Sequence, residues 1–113
     1  MTTDHPARRK ELFAGYRALN TQVADVMTGF GQLHQAAVAD GALSTATKEL
    51  MAMAIGITSR CEGCITLHVH AALRAGATAE QVHEAIGVAV LMGGGPATVH
   101  ATEALDALEP LSA

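Results

Sequence analysis

Cys61 and Cys64 stand three residues apart and are the two cysteines of a 113-residue chain. On a helix this spacing puts the Cα atoms about 5 Å apart, from a rise of about 1.5 Å and a radius of about 2.3 Å. A disulfide needs roughly 4.4–6.8 Å, so the pair can open and close with little backbone motion. A helix start favours an anion, which makes a thiolate there easier to form. His68 follows Cys64 by four residues, and at about 100° per residue Cys61, Cys64 and His68 share an arc of about 60°. An imidazole in that position can accept the Cys64 proton directly or through one water, which is base-activated thiol chemistry. His70 projects about 200° from His68 and is expected on another surface. His34, His83 and His100 have no partner nearby in sequence, and surface or interface roles are expected for them. Glu49, judged from Lys48-Glu49-Leu50 alone, reads as half of a solvated charge pair with Lys48. Zinc is a competing use of Cys61, Cys64 and His68, with His100 or Glu49 as a fourth ligand. Structural zinc usually takes two separated ligand pairs, and three ligands on one helix face do not match that, so neither a metal nor another cofactor is expected.

These residues need helices to hold them, and the chain is punctuated for six. Asp4 can cap a first helix with Pro6 in its first turn, carrying a stripe of Leu12, Phe13, Tyr16 and Leu19. A second runs roughly from Gln22 to Asp40, with Val23, Val26, Met27, Phe30, Leu33 and Ala37 on one side and Gly41 as a left-handed stop. Ser44 reads as the N-cap of a third helix from Thr45 to about Thr58. A fourth begins near Cys61 and ends at Gly76. Thr78 and Gln81 form a capping box for a fifth, which closes at Gly93-Gly94-Gly95. Pro96 starts a sixth that runs to about Glu109, before Pro110. No segment alternates with the period of two that a strand requires. The Gly93-Gly94-Gly95-Pro96 run lacks the Lys-Ser/Thr of a phosphate-binding loop and reads as a tight helix–helix turn.

Composition agrees with a small all-α domain spanning residues 1–113. Half the residues are hydrophobic, 16% are charged and 3% are aromatic, and the mean hydropathy is +0.25. Disordered chains have the opposite balance. The apolar mass is small, with 23 alanines, and alanine is the best helix former. So much small apolar surface on one small chain predicts burial between subunits, hence a homo-oligomer. The net charge is −4 and Arg8-Arg9-Lys10 is the one basic run, which disfavours nucleic-acid binding. Ala85–Met92, the longest apolar stretch, is far short of the roughly 20 residues that span a membrane. The first residues lack the continuous apolar core of a secretory leader, so a cytoplasmic location is expected. There the cysteines stay reduced unless they cycle.

From Leu43 to Glu103 the sequence resembles the alkylhydroperoxidase D-like (carboxymuconolactone decarboxylase) family. The matching features are Thr47-Lys48-Glu49-Leu50, the twelve-residue step from Glu49 to Cys61, then Cys61-x-x-Cys64-x-x-x-His68, Ala75-Gly76-Ala77 and Gly93-Gly94-Gly95-Pro96. The resemblance implies an all-helical fold assembled as trimers or hexamers. It also implies a thiol-dependent peroxidase, in which Cys64 resembles the peroxidatic cysteine and Cys61 the resolving one. Glu49 and His68 resemble the proton relay. The substrate would be a hydroperoxide, with Ala, Leu and Met near the site suiting an organic one, and a thioredoxin-like or other dithiol would be the reductant. One departure is Gly63, where the peroxidase members carry a second histidine between the cysteines. The decarboxylase branch of the family works without the cysteine pair. Three alternatives remain at this point: a redox-sensing or metal-binding CxxC module without turnover, an oligomer with an idle dithiol, and a decarboxylase-like enzyme.

Overall fold

The computed structural model describes residues 3–112. They form six helices: α1 (His5–Gln22), α2 (Ala24–Val38), α3 (Thr45–Thr58), α4 (Glu62–Arg74), α5 (Ala79–Gly93) and α6 (Gly95–Ser112). Among the described residues there is no strand, and no helix is long and apolar enough to cross a membrane.

Local chemistry sets the helix starts. Asp4 Oδ1 accepts from the Ala7 amide at 3.0 Å, and Ser44 Oγ accepts from Thr47 at 3.1 Å. At α5 the capping box is reciprocal: Thr78 Oγ1 accepts from the Gln81 amide at 3.1 Å, and Gln81 Oε1 accepts from the Thr78 amide at 2.9 Å. Each bond satisfies an amide that the helix itself leaves without a partner. Gly76 ends α4 at φ 104°, a conformation that favours glycine because it has no Cβ.

The core lies among α3, α4, α5 and α6. Met53 and Ile57 of α3 meet Ile65 and Val69 of α4, Val82 and Ile86 of α5, and Ala97, Ala101, Ala104 and Ala107 of α6. The alanines recur at helical spacing, so α6 presents a smooth face that the larger side chains of α3 and α4 fill. The closest pairing in the fold is α3 against α4, and these two helices carry the four candidate site residues.

Helices α1 and α2 are placed differently. A single residue, Val23, separates them. The apolar stripe expected on the second helix is present, yet no residue of α2 is buried. Phe30 is 52% and Leu33 63% exposed. On α1 only His5 is buried. Its Nδ1 shares a 2.6 Å hydrogen bond with Thr66 Oγ1, also fully buried. Arg8 reaches Glu62, and Leu12 lies over Gly63. His5, Arg8 and Leu12 of α1 thus hold the first two turns of α4.

Two expected helix ends shift. The second helix stops at Val38 rather than Asp40, and Gly41 is not left-handed. The stop comes instead from Ala39, whose extended backbone turns the chain out of the helix. Lys48 Nζ donates to its carbonyl at 2.6 Å, while Asp40 Oδ1 accepts from the Thr45 amide at 2.8 Å, a bond that lowers the Asp40 pKa. The sixth helix continues through Pro110 to Ser112. Burial of Leu111 and a bond from Ser112 Oγ to the Leu108 carbonyl hold this last turn.

Candidate active site

The α3–α4 turn aims the cysteines. Arg60 takes φ 57°, a left-handed conformation costing a non-glycine residue about 1–2 kcal/mol. It reverses the chain so that the Cys61 amide donates to the Gly56 carbonyl at 2.9 Å. Cys61 is therefore the N-cap of α4 rather than an interior residue, and its Sγ accepts from the Cys64 amide at 3.2 Å. The two cysteines are joined as a disulfide with Cα atoms 5.2 Å apart. Cys64 sits where α3 and α4 come closest. A Cβ added to Gly56 would lie 3.1 Å from Cys64 Cβ, so any larger residue there would press on Cys64 and glycine eases the approach.

Glu49 lies on α3 and His68 on α4. Glu49 is 4% exposed and does not pair with Lys48, which turns outward to Ala39. His68 Nδ1 donates to Glu49 Oε1 at 2.8 Å. With Nδ1–H held by a carboxylate, the lone pair of the neutral ring sits on Nε2, the nitrogen then available as a base. His68 is one helical turn beyond Cys64, so the α3–α4 pairing sets the Glu49–His68 pair one turn along α4 from the cysteine pair.

A cleft of about 420 Å³ opens between α1, α2 and α4, with Glu49 and His68 in its wall and neither cysteine among its lining residues. Phe13, Tyr16 and Phe30 supply its apolar lining. His70 and His34 line it too, so the expectation that His70 faces another surface is incorrect. The cleft is wide enough to take in residues on both sides of His68 along α4. Burial first, then the charges of Arg9 and Arg74, lowers the His70 pKa. His83 and His100 lie away from this site, on α5 and α6. His100 Nδ1 is 3.2 Å from Glu103 Oε1 without the alignment of a hydrogen bond. Among the described residues no group of three or more His, Cys, Asp or Glu side chains could hold a metal ion.

Sequence reasoning did not find the Arg8–Glu62 pair or the cleft. Glu62 lies between the cysteines, and Arg8 Nε donates to its two oxygens at 3.1 and 3.0 Å. The stripes on α1 and α2 were legible, but that they wall one cleft with α4 depends on how the helices cross. Gly63 faces α1. Leu12 lies 3.4 Å from where its Cβ would be, and Arg8 Nη2 3.9 Å, ordinary contact distances, so a longer side chain between the cysteines would extend against α1.

Residues 24–107, which include Glu49, the CxxC pair and His68, match the carboxymuconolactone decarboxylase family. The chain belongs to that family. A solved family member from Legionella pneumophila shares 40% identity and superposes with a TM-score of 0.93, covering 96% of this chain and 97% of that one. A Thermotoga maritima family structure, for which a role in antioxidative response has been suggested, shares 31% identity at a TM-score of 0.79, over 89% of each chain. An uncharacterised protein of Cupriavidus necator is 37% identical over the whole length of both chains. The fold and the Cys61–Cys64 pair are consistent with a redox role within this family.

Proposed function

We propose that the protein is a thiol-dependent peroxidase that cycles its CxxC pair. The observation that carries this reading is the 2.8 Å bond between His68 and the buried Glu49, one turn along α4 from a cysteine pair closed as a disulfide. A buried carboxylate with one imidazole partner is costly to keep for packing alone, and this one lies in the wall of a cleft.

In the reduced protein His68 Nε2 takes the Cys64 proton, and the ion pair with Glu49 stabilises the imidazolium that forms. The helix start stabilises the thiolate. Cys64 Sγ attacks the outer oxygen of a hydroperoxide, the O–O bond breaks, and the His68 proton goes to the departing alkoxide, giving an alcohol and a sulfenic acid. Cys61 Sγ then displaces hydroxide from the Cys64 sulfenic acid. The Cys61 proton joins that hydroxide as water, and the disulfide forms. A thioredoxin-like or other dithiol supplies two electrons and two protons to restore both thiols. A cycle that ends in reduction suits a reducing compartment, so we place the protein in the cytoplasm.

The exposed stripe of α2 supports assembly as a homo-oligomer, a trimer or hexamer by family resemblance. The test of function is hydroperoxide consumption driven by a dithiol donor. Cys64→Ser should abolish it, and Cys61→Ser should trap a sulfenic acid or a mixed disulfide on Cys64. Equal reactivity of both single variants with peroxide would overturn the assignment of roles.

A further inference from the structure

Arg8 and Arg9 are adjacent in sequence and differ in what they bind. Arg8 is committed to Glu62 and, at 3.4 Å, to Glu11. Arg9 forms no ion pair among the described residues. Its guanidinium lies over the Phe13 ring, 4.7 Å from the centroid, and its Nε is buried without a hydrogen-bond partner. Stacking uses the face of the guanidinium and leaves its N–H donors, all in the edge, unspent. A donor withdrawn from water without an acceptor is costly, and a ligand that supplies the acceptor removes that cost.

The surroundings define the ligand. Arg9 lines the same cleft as His68, together with Phe13, Tyr16 and Phe30. Burial and the charges of Arg9 and Arg74 favour the neutral form of His70, and Arg9 is the arginine of the wall, a cation that does not titrate near pH 7. The carboxylate in that wall, Glu49, is already bonded to His68. A volume of about 420 Å³ is within the range of small-molecule sites. The complementary ligand has a planar anionic end and a long apolar body.

We propose that Arg9 is a carboxylate-binding subsite and that the cleft takes amphipathic carboxylates, the substrate form being a hydroperoxide of a long-chain carboxylic acid. The carboxylate accepts two N–H bonds from the edge of Arg9, the fork geometry that arginine offers and lysine does not. The alkyl chain lies along Phe13, Tyr16 and Phe30 toward His68. The substrate part of this inference rests on the peroxidase reading; the binding part does not.

The test separates the two. Calorimetric titration with dodecanoate should show binding to the oxidised protein, with dodecanol at least tenfold weaker. Arg9→Gln should weaken dodecanoate roughly tenfold or more, the loss expected of a charge-assisted bond, and leave dodecanol unchanged. Lys10→Gln removes the same charge from an exposed neighbour outside the cleft and should have little effect. In turnover, Arg9→Gln should raise KM for linoleic acid hydroperoxide at unchanged kcat, while cumene hydroperoxide, which has no carboxylate, is unaffected. Absent dodecanoate binding, equal affinity for acid and alcohol, or equal loss in Arg9→Gln and Lys10→Gln would overturn the subsite. Arg9-dependent dodecanoate binding in a protein that consumes no hydroperoxide would support the subsite and sink the peroxidase reading. Turnover of cumene hydroperoxide with dodecanoate indifferent to Arg9 would do the reverse.

Discussion

Replacing Glu49 by glutamine keeps the shape of the side chain and removes its charge, and the structure gives different magnitudes for its two consequences. The contact to His68 Nδ1 is a single 2.8 Å hydrogen bond from a side chain that is 4% exposed. Glutamine can still accept from Nδ1 through its amide oxygen. A charge-assisted bond is roughly twice as strong as a neutral one, and a neutral one contributes about 1 kcal/mol, so Glu49→Gln should cost the fold about 1 kcal/mol. Catalysis should suffer more. Positioned acid–base groups contribute about 10²–10⁴-fold, and the variant keeps the imidazole while losing the charge that stabilises the imidazolium. Hydroperoxide turnover should therefore fall at least about tenfold, equivalent to about 1.4 kcal/mol for each factor of ten. The assay pairs urea denaturation with alcohol formation by the reduced protein in a single turnover. Glu49→Ala extends the series: it leaves the Nδ1 donor unpaired and should cost about 1.5–3 kcal/mol in stability. Turnover within twofold of wild type in Glu49→Gln, with stability lowered as calculated, would refute the relay and leave Glu49 a structural carboxylate.

Three further outcomes follow from particular contacts. Gly63→His should drive its ring against Leu12 of α1, whose side chain lies in contact, 3.4 Å, with the added Cβ; overpacking by the ring costs about 1–3 kcal/mol, and hydrogen exchange should show α1 amides opening faster than in wild type. The double variant Phe30→Glu, Leu33→Glu should dissociate the oligomer seen by light scattering, since both side chains are exposed apolar groups on α2; a wild-type protein that stays monomeric at micromolar concentration would contradict the assembly. His70 has a lowered pKa in the fold, caused first by burial, so the unfolded chain takes up its proton first as pH falls. Its contribution is complete above about pH 6.5 and is lost as pH drops through the lowered folded value. Thermal melts at about pH 7 and pH 5 should show a smaller acid loss in His70→Gln than in wild type.

The sequence made some of this legible because the signals are local. The Thr78–Gln81 capping box, the Ser44 and Asp4 caps and the CxxC spacing each act within one turn, and the helices begin where those residues stand. That Glu49 could meet His68 was legible through family resemblance alone, since the neighbouring Lys48 suggested a solvated pair. What was hidden depends on crossings between distant segments. The Gly56–Cys64 approach, the His5–Thr66 bond and the Arg8–Glu62 pair all join residues that no helical period relates. His70 was misplaced for the same reason: a helical wheel gives a direction, and the width of the cleft against α4 decides what lines it. Gly41 failed as a stop because an extended Ala39 ends α2 first.

The central claim is that one hydroperoxide oxidises Cys64 and that Cys61 resolves the product. The most direct measurement is the intact mass of fully reduced protein after one equivalent of cumene hydroperoxide, taken with the yield of alcohol. The account predicts a loss of two hydrogens per chain, one alcohol formed per chain, and a single peptide cross-link joining Cys61 to Cys64. A stable gain of one oxygen with no cross-link, or unchanged mass and no alcohol, would contradict it.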